Sequence, residues 1–175
     1  MSACRWKGRI SRTVIGIDRG LCGFGAARQR PEMAADEAMN EPLSRSVIQP
    51  DNPVLNVSRS ANLPHVPGIR VGEYIFLSGM GPINPETGER NHGPIADQIR
   101  TTLGNVKHML ESAGSSLERV VRVHVVLADI SHVAEMDRVY REFFPIDPPA
   151  RTTWSMQLRF GNGCEIECVA LVGAD

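Results

Sequence analysis

The sequence is poor in aromatic residues and cysteine, and it is nearly neutral. Of its 175 residues 5% are aromatic, four are cysteine, and the formal net charge at pH 7 is −1. A nearly neutral chain lacks the overall positive charge that draws proteins to nucleic acid or to anionic membrane surfaces. The composition therefore argues against both kinds of partner unless a local patch of charge is present.

Long hydrophobic runs are absent as well. No stretch reaches the roughly 18 uninterrupted apolar residues that a membrane-spanning helix needs, so we expect a soluble protein. Hydrophobic residues still make up 42% of the chain, and a chain of this length is sufficient for one hydrophobic core.

The cysteines do not form a metal-binding motif. None of Cys4, Cys22, Cys164 and Cys168 has a Cys-x-x-Cys partner, and no cluster of histidines lies beside them. Along one strand Cys164 and Cys168 would be about 13 Å apart, which is too far for a disulfide. We therefore predict no metal site and a reducing, cytoplasmic location.

The N-terminal part of the chain differs from the rest. Basic residues predominate over residues 1–30, where Asp18 is the one acid. An arginine-rich, acid-poor stretch is typical of an organellar transit peptide, but a mis-assigned start at Met33 or Met39 fits the composition better. We assign residues 1–52 to a disordered or mis-assigned extension, outside the fold.

Residues 53–175 are predicted to form one α+β domain. Predicted strands span residues 56–60, 69–71, 74–78 and 120–127, and predicted helices run from Pro94 to about Gly114 and from a Ser131 cap to Pro145. Two further strands follow at the C-terminus. This order predicts a mixed sheet with two helices on one face.

The last two strands are predicted to be a β-hairpin. Polar and apolar residues alternate from Arg151 to Arg159 and again from Cys164 to Val172, as in half-buried strands. Between them Gly161-Asn162-Gly163 supplies residues that tolerate a positive φ. That register places Arg159 opposite Glu165 and leaves Arg151 roughly 25 Å away. Arg151 and Glu165 could then serve one cleft only from different chains.

Four residues are candidates for chemistry. Arg151 follows Pro-Pro-Ala at the start of a strand, where its guanidinium could bind a carboxylate through two hydrogen bonds. A surface arginine in a salt bridge is the more common case. Glu165 and Glu167 lie two residues apart on one face, an arrangement that could supply a proton donor or base, although a solvated strand face is again more common. His65 is either a pocket residue or a polar surface group.

Several motifs after residue 62 occur in an order known from one protein family. They are GIRVGEYIFLSG at 68–79, NPETGE at 84–89, IADQIRTTLGNV at 95–106, LAD at 127–129, VYREFFP at 139–145, Pro149-Ala150-Arg151 and Glu165-Ile166-Glu167. Together they resemble the Rid (reactive intermediate deaminase, YjgF-type) family over residues 62–172. The Pro-Ala-Arg and Glu-Ile-Glu motifs at this separation are the most specific part.

The resemblance implies a chorismate-mutase-like fold and a homotrimer with clefts between subunits. It also implies hydrolysis of enamine or imine intermediates, such as 2-aminoacrylate, to a 2-oxo acid and ammonia. In that picture Arg151 holds the substrate carboxylate, and Glu165 deprotonates the attacking water. Backbone groups around Gly79 and Thr153 bind the imine end and the water. Because an imine is already electrophilic, no metal or cofactor is needed.

Two departures from the family pattern affect the predicted pocket wall. Leu63-Pro64-His65-Val66 replaces Gly-Pro-Tyr-Ser, and Ser78-Gly79-Met80 replaces Ser-Gly-Gln. A larger imine, such as the ring-cleavage product 2-aminomuconate, is therefore an alternative substrate. A trimer that binds 2-oxo acids without catalysis is another alternative. RNA cleavage is disfavoured, because no basic stripe with interleaved aromatic residues is present.

Overall fold

The structure, a computed structural model, describes residues 44–173 of the chain. The strands in that range are β1 (Arg45–Val47), β2 (Gly68–Val71), β3 (Tyr74–Leu77), β4 (Val120–Leu127), β5 (Ala150–Ser155) and β6 (Cys164–Leu171). They form one mixed sheet in the order β1-β2-β3-β6-β4-β5. In it β4 and β5 are parallel, and all other neighbours are antiparallel.

Helices accompany the sheet. They are α1 (Val57–Ser60), α2 (Ile95–Ser112) and α3 (Val133–Phe143). Side chains of α2 and α3 join those of β3, β4 and β6 in one buried core, which confirms the predicted α+β fold. No helix within residues 44–173 combines the length and the apolar character needed to cross a membrane.

The bounds of α2 follow from its sequence. Pro94 stands immediately before the first helical residue, where its missing N–H costs no hydrogen bond. Ile99, Leu103 and Val106 recur at three- and four-residue spacing and are buried. Beyond the last turn Gly114 has a φ of 72°, the left-handed conformation that glycine adopts without strain.

The side chains of β4 alternate between two faces of the sheet. Val123, Val125 and Leu127 are buried in the core, whereas His124 and Val126 point to the other side and are partly exposed. We call this second side the open face. Exposed aromatic residues of two other strands lie on this face: Tyr74 and Phe76 on β3, and Trp154 on β5. Several exposed aromatic side chains on one face of a sheet are typical of a contact surface.

The predicted C-terminal hairpin is wrong. β5 pairs in parallel with one edge of β4, which places Arg151 opposite Val123. β6 pairs antiparallel with the other edge, which places Glu165 opposite Val126. Strand β4 therefore lies between the two strands that the prediction joined. Alternation indicates that a segment is a strand, but it does not identify the neighbouring strand.

The connection between β5 and β6 contains a 3-10 turn at Arg159–Gly161. Phe160 and Gly161 both have positive φ angles, of 63° and 69°. Arg159 therefore does not pair across a ladder with Glu165, and the separation of roughly 25 Å calculated from that register does not apply.

Two smaller predictions are also corrected. Residues 57–60 are helical rather than extended, because the Asn56 side chain accepts a hydrogen bond from the Arg59 N–H over 3.3 Å and begins α1. Ser131 does not cap α3. Its N–H instead donates to the Asp129 carboxylate over 2.8 Å, within a short 3-10 turn that precedes the helix.

The boundary predicted at residue 52 lies too far along the chain. β1 begins at Arg45 and adds an antiparallel edge to β2, and Ile48 is buried in the core with 7% of its surface exposed. The sheet thus starts inside the range assigned to the extension. The remainder of that range, residues 1–43, lies outside the described residues.

A chain that begins at Met39 is expected to unfold at the same temperature as the full chain, because β1 and Ile48 remain. A chain that begins at Pro53 is expected to lose about 2 kcal/mol of stability, since it lacks the buried Ile48 side chain and leaves the edge of β2 without its partner strand. Thermal denaturation followed by circular dichroism compares the three chains. Equal unfolding temperatures for the shortest and the full chain would contradict a structural role for β1.

Candidate functional site

A cavity of about 200 Å³ opens at the end of β3, beside β6. Met80 forms a β-bridge to Ile166 there. The Met80 N–H donates to the Ile166 carbonyl over 2.8 Å, and the Ile166 N–H donates to the Met80 carbonyl over 2.9 Å. The bridge places Gly79 next to Glu165, and both line the space. We call this space the Glu165 cavity.

Gly79 is the residue type that this arrangement requires. A β-carbon at position 79 would lie 2.9 Å from Glu165 Cδ and closer still to Glu165 Oε1. Optimal carbon contacts are about 3.5–4.0 Å, so any side chain at this position would displace the carboxylate. The Glu165 carboxylate therefore occupies the space directly over the Gly79 backbone.

His65 and Ser78 belong to the same cavity. The Ser78 hydroxyl donates to the Val66 carbonyl over 2.6 Å, and the Ser78 N–H donates to the Pro67 carbonyl over 2.9 Å. These two bonds hold the loop that carries His65 against the end of β3. The structure thus brings His65, Ser78, Gly79 and Glu165 together.

Arg151 lies elsewhere in the same chain. Its register partner Val123 points into the core, whereas Val126, the partner of Glu165, points to the open face. Paired residues of neighbouring strands share a face. Arg151 and Glu165 are therefore on opposite faces of the sheet.

The surroundings of Arg151 come from α3. Its Nη2 donates to Asp137 Oδ1 over 2.6 Å, and its Nη1 is 3.5 Å from the sulfur of Met136. The guanidinium carbon lies 4.7 Å from the centre of the Tyr140 ring. We call these four residues the Arg151 cluster. These contacts hold the guanidinium in one orientation, and 25% of the Arg151 side chain remains exposed.

Thr153 shares the core-facing side of β5 with Arg151, because it lies opposite Val125. Its hydroxyl oxygen is buried and has no hydrogen-bond partner among the described residues. The predicted site residues are therefore divided within one chain. Four of them line the Glu165 cavity, and Arg151 and Thr153 lie on the other face.

The cavity also contains residues that were not predicted as site residues. Arg90 Nη1 donates to Asn162 Oδ1 over 3.3 Å, and the Arg90 guanidinium lies 4.0 Å from the centre of the Phe160 ring. Arg159 lies 4.9 Å from the same ring. Burial lowers the pKa of Arg90, Glu165 partly opposes that shift, and the charge of Arg159 adds to it.

Little in the sequence could have identified these residues. Arg90 follows the turn-rich loop at residues 84–89 and belongs to no periodic pattern. Arg159 and Phe160 were assigned to a strand, and their 3-10 turn depends on a positive φ at Phe160, which is uncommon for a bulky residue. The available signal was the adjacent Arg159-Phe160 pair just before a glycine-rich turn.

A family model described as Endoribonuclease L-PSP matches residues 57–172 of the chain. The chain belongs to this family, the Rid family. One Rid relative, the Arabidopsis thaliana protein Reactive Intermediate Deaminase A, chloroplastic, is 32% identical over 152 residues, which are 86% of this chain and 79% of the plant protein. A RutC family protein of Pyrococcus abyssi is 46% identical over 88 residues, which are 50% of this chain and 69% of the archaeal protein.

A solved structure confirms the Rid fold. The crystal structure of Escherichia coli TdcF with bound serine is similar to this chain with a TM-score of 0.59 and 32% sequence identity. The similarity covers 62% of this chain and 87% of that protein. The range matched by the Rid family model includes Gly79, Arg151 and Glu165, whereas β1 lies before it.

Proposed function

We propose that the protein is an imine deaminase that hydrolyses 2-imino acids, or the enamines in equilibrium with them, to 2-oxo acids and ammonia. The observation that carries the proposal is the Glu165 carboxylate, held against the Gly79 backbone inside a cavity of about 200 Å³. The name of the plant relative supports deamination, and the serine bound to TdcF supports a ligand of amino-acid size.

The chemistry requires a base and a proton shuttle more than strong activation. Glu165 accepts a proton from a water molecule while the water oxygen forms a bond to the imine carbon. The proton then passes to the nitrogen, which gives a carbinolamine with one hydroxyl and one amino group. Glu165 next transfers the hydroxyl proton to the amino group, the carbon–nitrogen bond breaks, and ammonia leaves as the carbonyl forms. Because the imine carbon is already electrophilic, positioning supplies most of the remaining rate enhancement.

We also propose that Arg151 of a partner subunit binds the substrate carboxylate, in a homotrimer with clefts between subunits. Two observations support this. Arg151 and Glu165 lie on opposite faces of one sheet, and the open face displays Tyr74, Phe76 and Trp154 to solvent. Burying those aromatic side chains would stabilise an assembly. Light scattering coupled to size-exclusion chromatography measures the subunit number, and a monomer would contradict the proposal.

A trapping assay tests the activity. An amino-acid oxidase generates 2-iminopropanoate or 2-iminobutanoate, and semicarbazide competes with the protein for the imine. We expect the protein to lower semicarbazone formation and to raise 2-oxo acid formation. Binding of 2-oxobutanoate without any effect on semicarbazone formation would instead support the non-catalytic alternative. Including 2-aminomuconate in the assay tests the ring-cleavage substrate.

Replacing Gly79 with alanine is expected to lower the deamination rate by about 10- to 100-fold, because the new methyl group displaces the Glu165 carboxylate. Gly104→Ala is the matched control. Gly104 lies inside α2 with no atom within 4 Å of an added β-carbon, so this change should keep the activity and add about 0.5–1 kcal/mol of stability. Steady-state rates and thermal denaturation check both variants. A fully active Gly79→Ala protein would contradict the role of Gly79.

The location of the protein remains a prediction. The cysteine pattern favours a reducing compartment and hence the cytoplasm. An organellar transit peptide is supported by the basic residues at 1–30 and by the word chloroplastic in the name of the plant relative. Fusing residues 1–38 to a fluorescent protein tests both. Accumulation of the fusion in an organelle would contradict the cytoplasmic assignment.

A further inference from the structure

The Glu165 cavity contains two cations that the proposed reaction does not use. Arg90 and Arg159 both line the cavity and stack on Phe160. Across residues 44–173 the salt bridges involve other arginines. The positive charges of Arg90 and Arg159 are therefore not neutralised by a directly bound carboxylate within the described residues.

Two neighbouring guanidinium groups with no directly bound carboxylate are an unfavourable arrangement, which the charge of Glu165 offsets only in part for Arg90. They repel each other, and the partial burial of Arg90 makes its charge more costly. Asn162 offsets only part of this cost, because its 3.3 Å contact with Arg90 is long for a hydrogen bond from a charged donor. A bound anion would reduce the repulsion between the two guanidinium groups and accept hydrogen bonds from their remaining N–H groups.

The cations and the carboxylate lie on the same side of the segment that follows β3. A β-carbon at Gly79 would meet Glu165, and a β-carbon at Gly81 would lie 3.7 Å from Arg90 Nη1. Two positions separated by two residues of extended chain are about 7 Å apart. In the imines of aspartate and glutamate the distal carboxylate carbon lies about 2.5 Å and about 3.9 Å from the imine carbon. The attacking water beside Glu165 and hydrogen bonds of about 2.8 Å to the guanidinium groups cover the rest of this distance.

We propose that the preferred substrates are 2-imino acids with a second carboxylate, the imines of aspartate and glutamate, and that Arg90 and Arg159 bind this distal group. The proposal rests on the deaminase function above. The imine carbon lies near Glu165, and the distal carboxylate lies at the Phe160 end of the cavity, where it forms charge-assisted hydrogen bonds. The distal group takes no part in the bond changes at the imine.

Substrate discrimination is the first test. The trapping assay is run with the imine of aspartate and with 2-iminopropanoate, on the unchanged protein and on Arg90→Gln and Arg159→Gln. We expect each substitution to lower kcat/KM for the aspartate imine about tenfold more than kcat/KM for 2-iminopropanoate. Arg70→Gln is the matched control, because Arg70 is exposed on β2, its Nε donates to the Gly72 carbonyl, and it lies outside the cavity. Arg70→Gln should leave the ratio unchanged.

Ligand binding separates this inference from the proposed function. Isothermal titration of the full chain compares 2-oxoglutarate with 2-oxobutanoate, and we expect 2-oxoglutarate to bind more tightly and to lose that advantage in Arg90→Gln. If no imine is deaminated but this pattern holds, the deaminase proposal fails and the anion subsite remains. Equal losses for both ligands, no loss in either variant, or stronger competition by inorganic phosphate than by 2-oxoglutarate would overturn the subsite. Because Arg159 is exposed, Arg159→Gln provides the test even if Arg90→Gln does not fold.

Discussion

Glu165→Gln is expected to lower kcat for imine hydrolysis by about 10²- to 10⁴-fold, the usual contribution of a positioned general base. The amide has the shape of the carboxylate, so the contact with Gly79 and the fold should remain. Glutamine cannot accept a proton from the attacking water, which is why the effect should appear in kcat. Release of the 2-oxo acid from oxidase-generated imines gives the measurement.

Glu167→Gln is the control for that variant. Glu167 lies two residues further along β6, faces the same side, and pairs with His124 Nδ1 over 2.6 Å. It lies outside the Glu165 cavity, and a partly exposed pair of this kind contributes little to stability. We expect activity close to that of the unchanged protein. Equal losses in the two variants would show that charge on the open face, rather than the carboxylate in the cavity, controls the rate.

Arg151→Ala is expected to weaken productive substrate binding by about 2–5 kcal/mol, which corresponds to a loss in kcat/KM of roughly 30- to 5,000-fold. The substitution also breaks the contact with Asp137, at a cost of up to about 1 kcal/mol because both side chains are partly exposed. Asp137→Asn removes the same ion pair and keeps the guanidinium. It should therefore lose similar stability while losing far less kcat/KM.

Those two variants distinguish a substrate-binding arginine from a structural one. If Arg151 only attaches β5 to α3, Arg151→Ala and Asp137→Asn will have equal effects on activity and on unfolding temperature. Arg151→Lys adds a further comparison, since an ammonium cannot form the two parallel hydrogen bonds of a guanidinium. It should restore little of the binding.

Mixing the two inactive proteins tests where the cleft lies. Equal amounts of Arg151→Ala and Glu165→Gln are dissociated and reassembled together. A cleft built from two chains is then intact when the Glu165→Gln chain supplies Arg151 and the Arg151→Ala chain supplies Glu165. Random assembly then gives about a quarter of the clefts, and we expect activity to recover toward that level. Hybrid trimers shown by mass spectrometry to form without any recovery would place both residues in one chain.

The elements that could be predicted are those whose signal lies within one segment. The apolar spacing of Ile99, Leu103 and Val106 identified α2, and the β-branched run at Val120–Leu127 identified a central strand. Pairing between distant strands is a different kind of information. The alternation after Arg151 predicted a strand, but in β5 Trp154 lies on the open face and Arg151 on the core side. The neighbour of β5 is β4, which precedes it in the chain, and local spacing cannot show this pairing.

The candidate site was predictable to a similar extent. The resemblance identified Glu165 and Gly79, and the structure brings them into contact. The residues that distinguish this cavity, Arg90 and Phe160, are positioned by a turn-rich loop and by a backbone angle of 63°. Loops have no periodicity to interpret, so their side chains enter a site only once the tertiary structure is known.

The placement of Arg151 and Glu165 on opposite faces of one sheet has a consequence for dosage. If each cleft needs two chains, an isolated chain has no complete active site, and specific activity must fall on dilution below the dissociation constant of the assembly. A single-chain enzyme would show no such dependence. In a cell, halving the amount of protein near that threshold would remove more than half of the activity, so activity would change more steeply than in proportion to expression level.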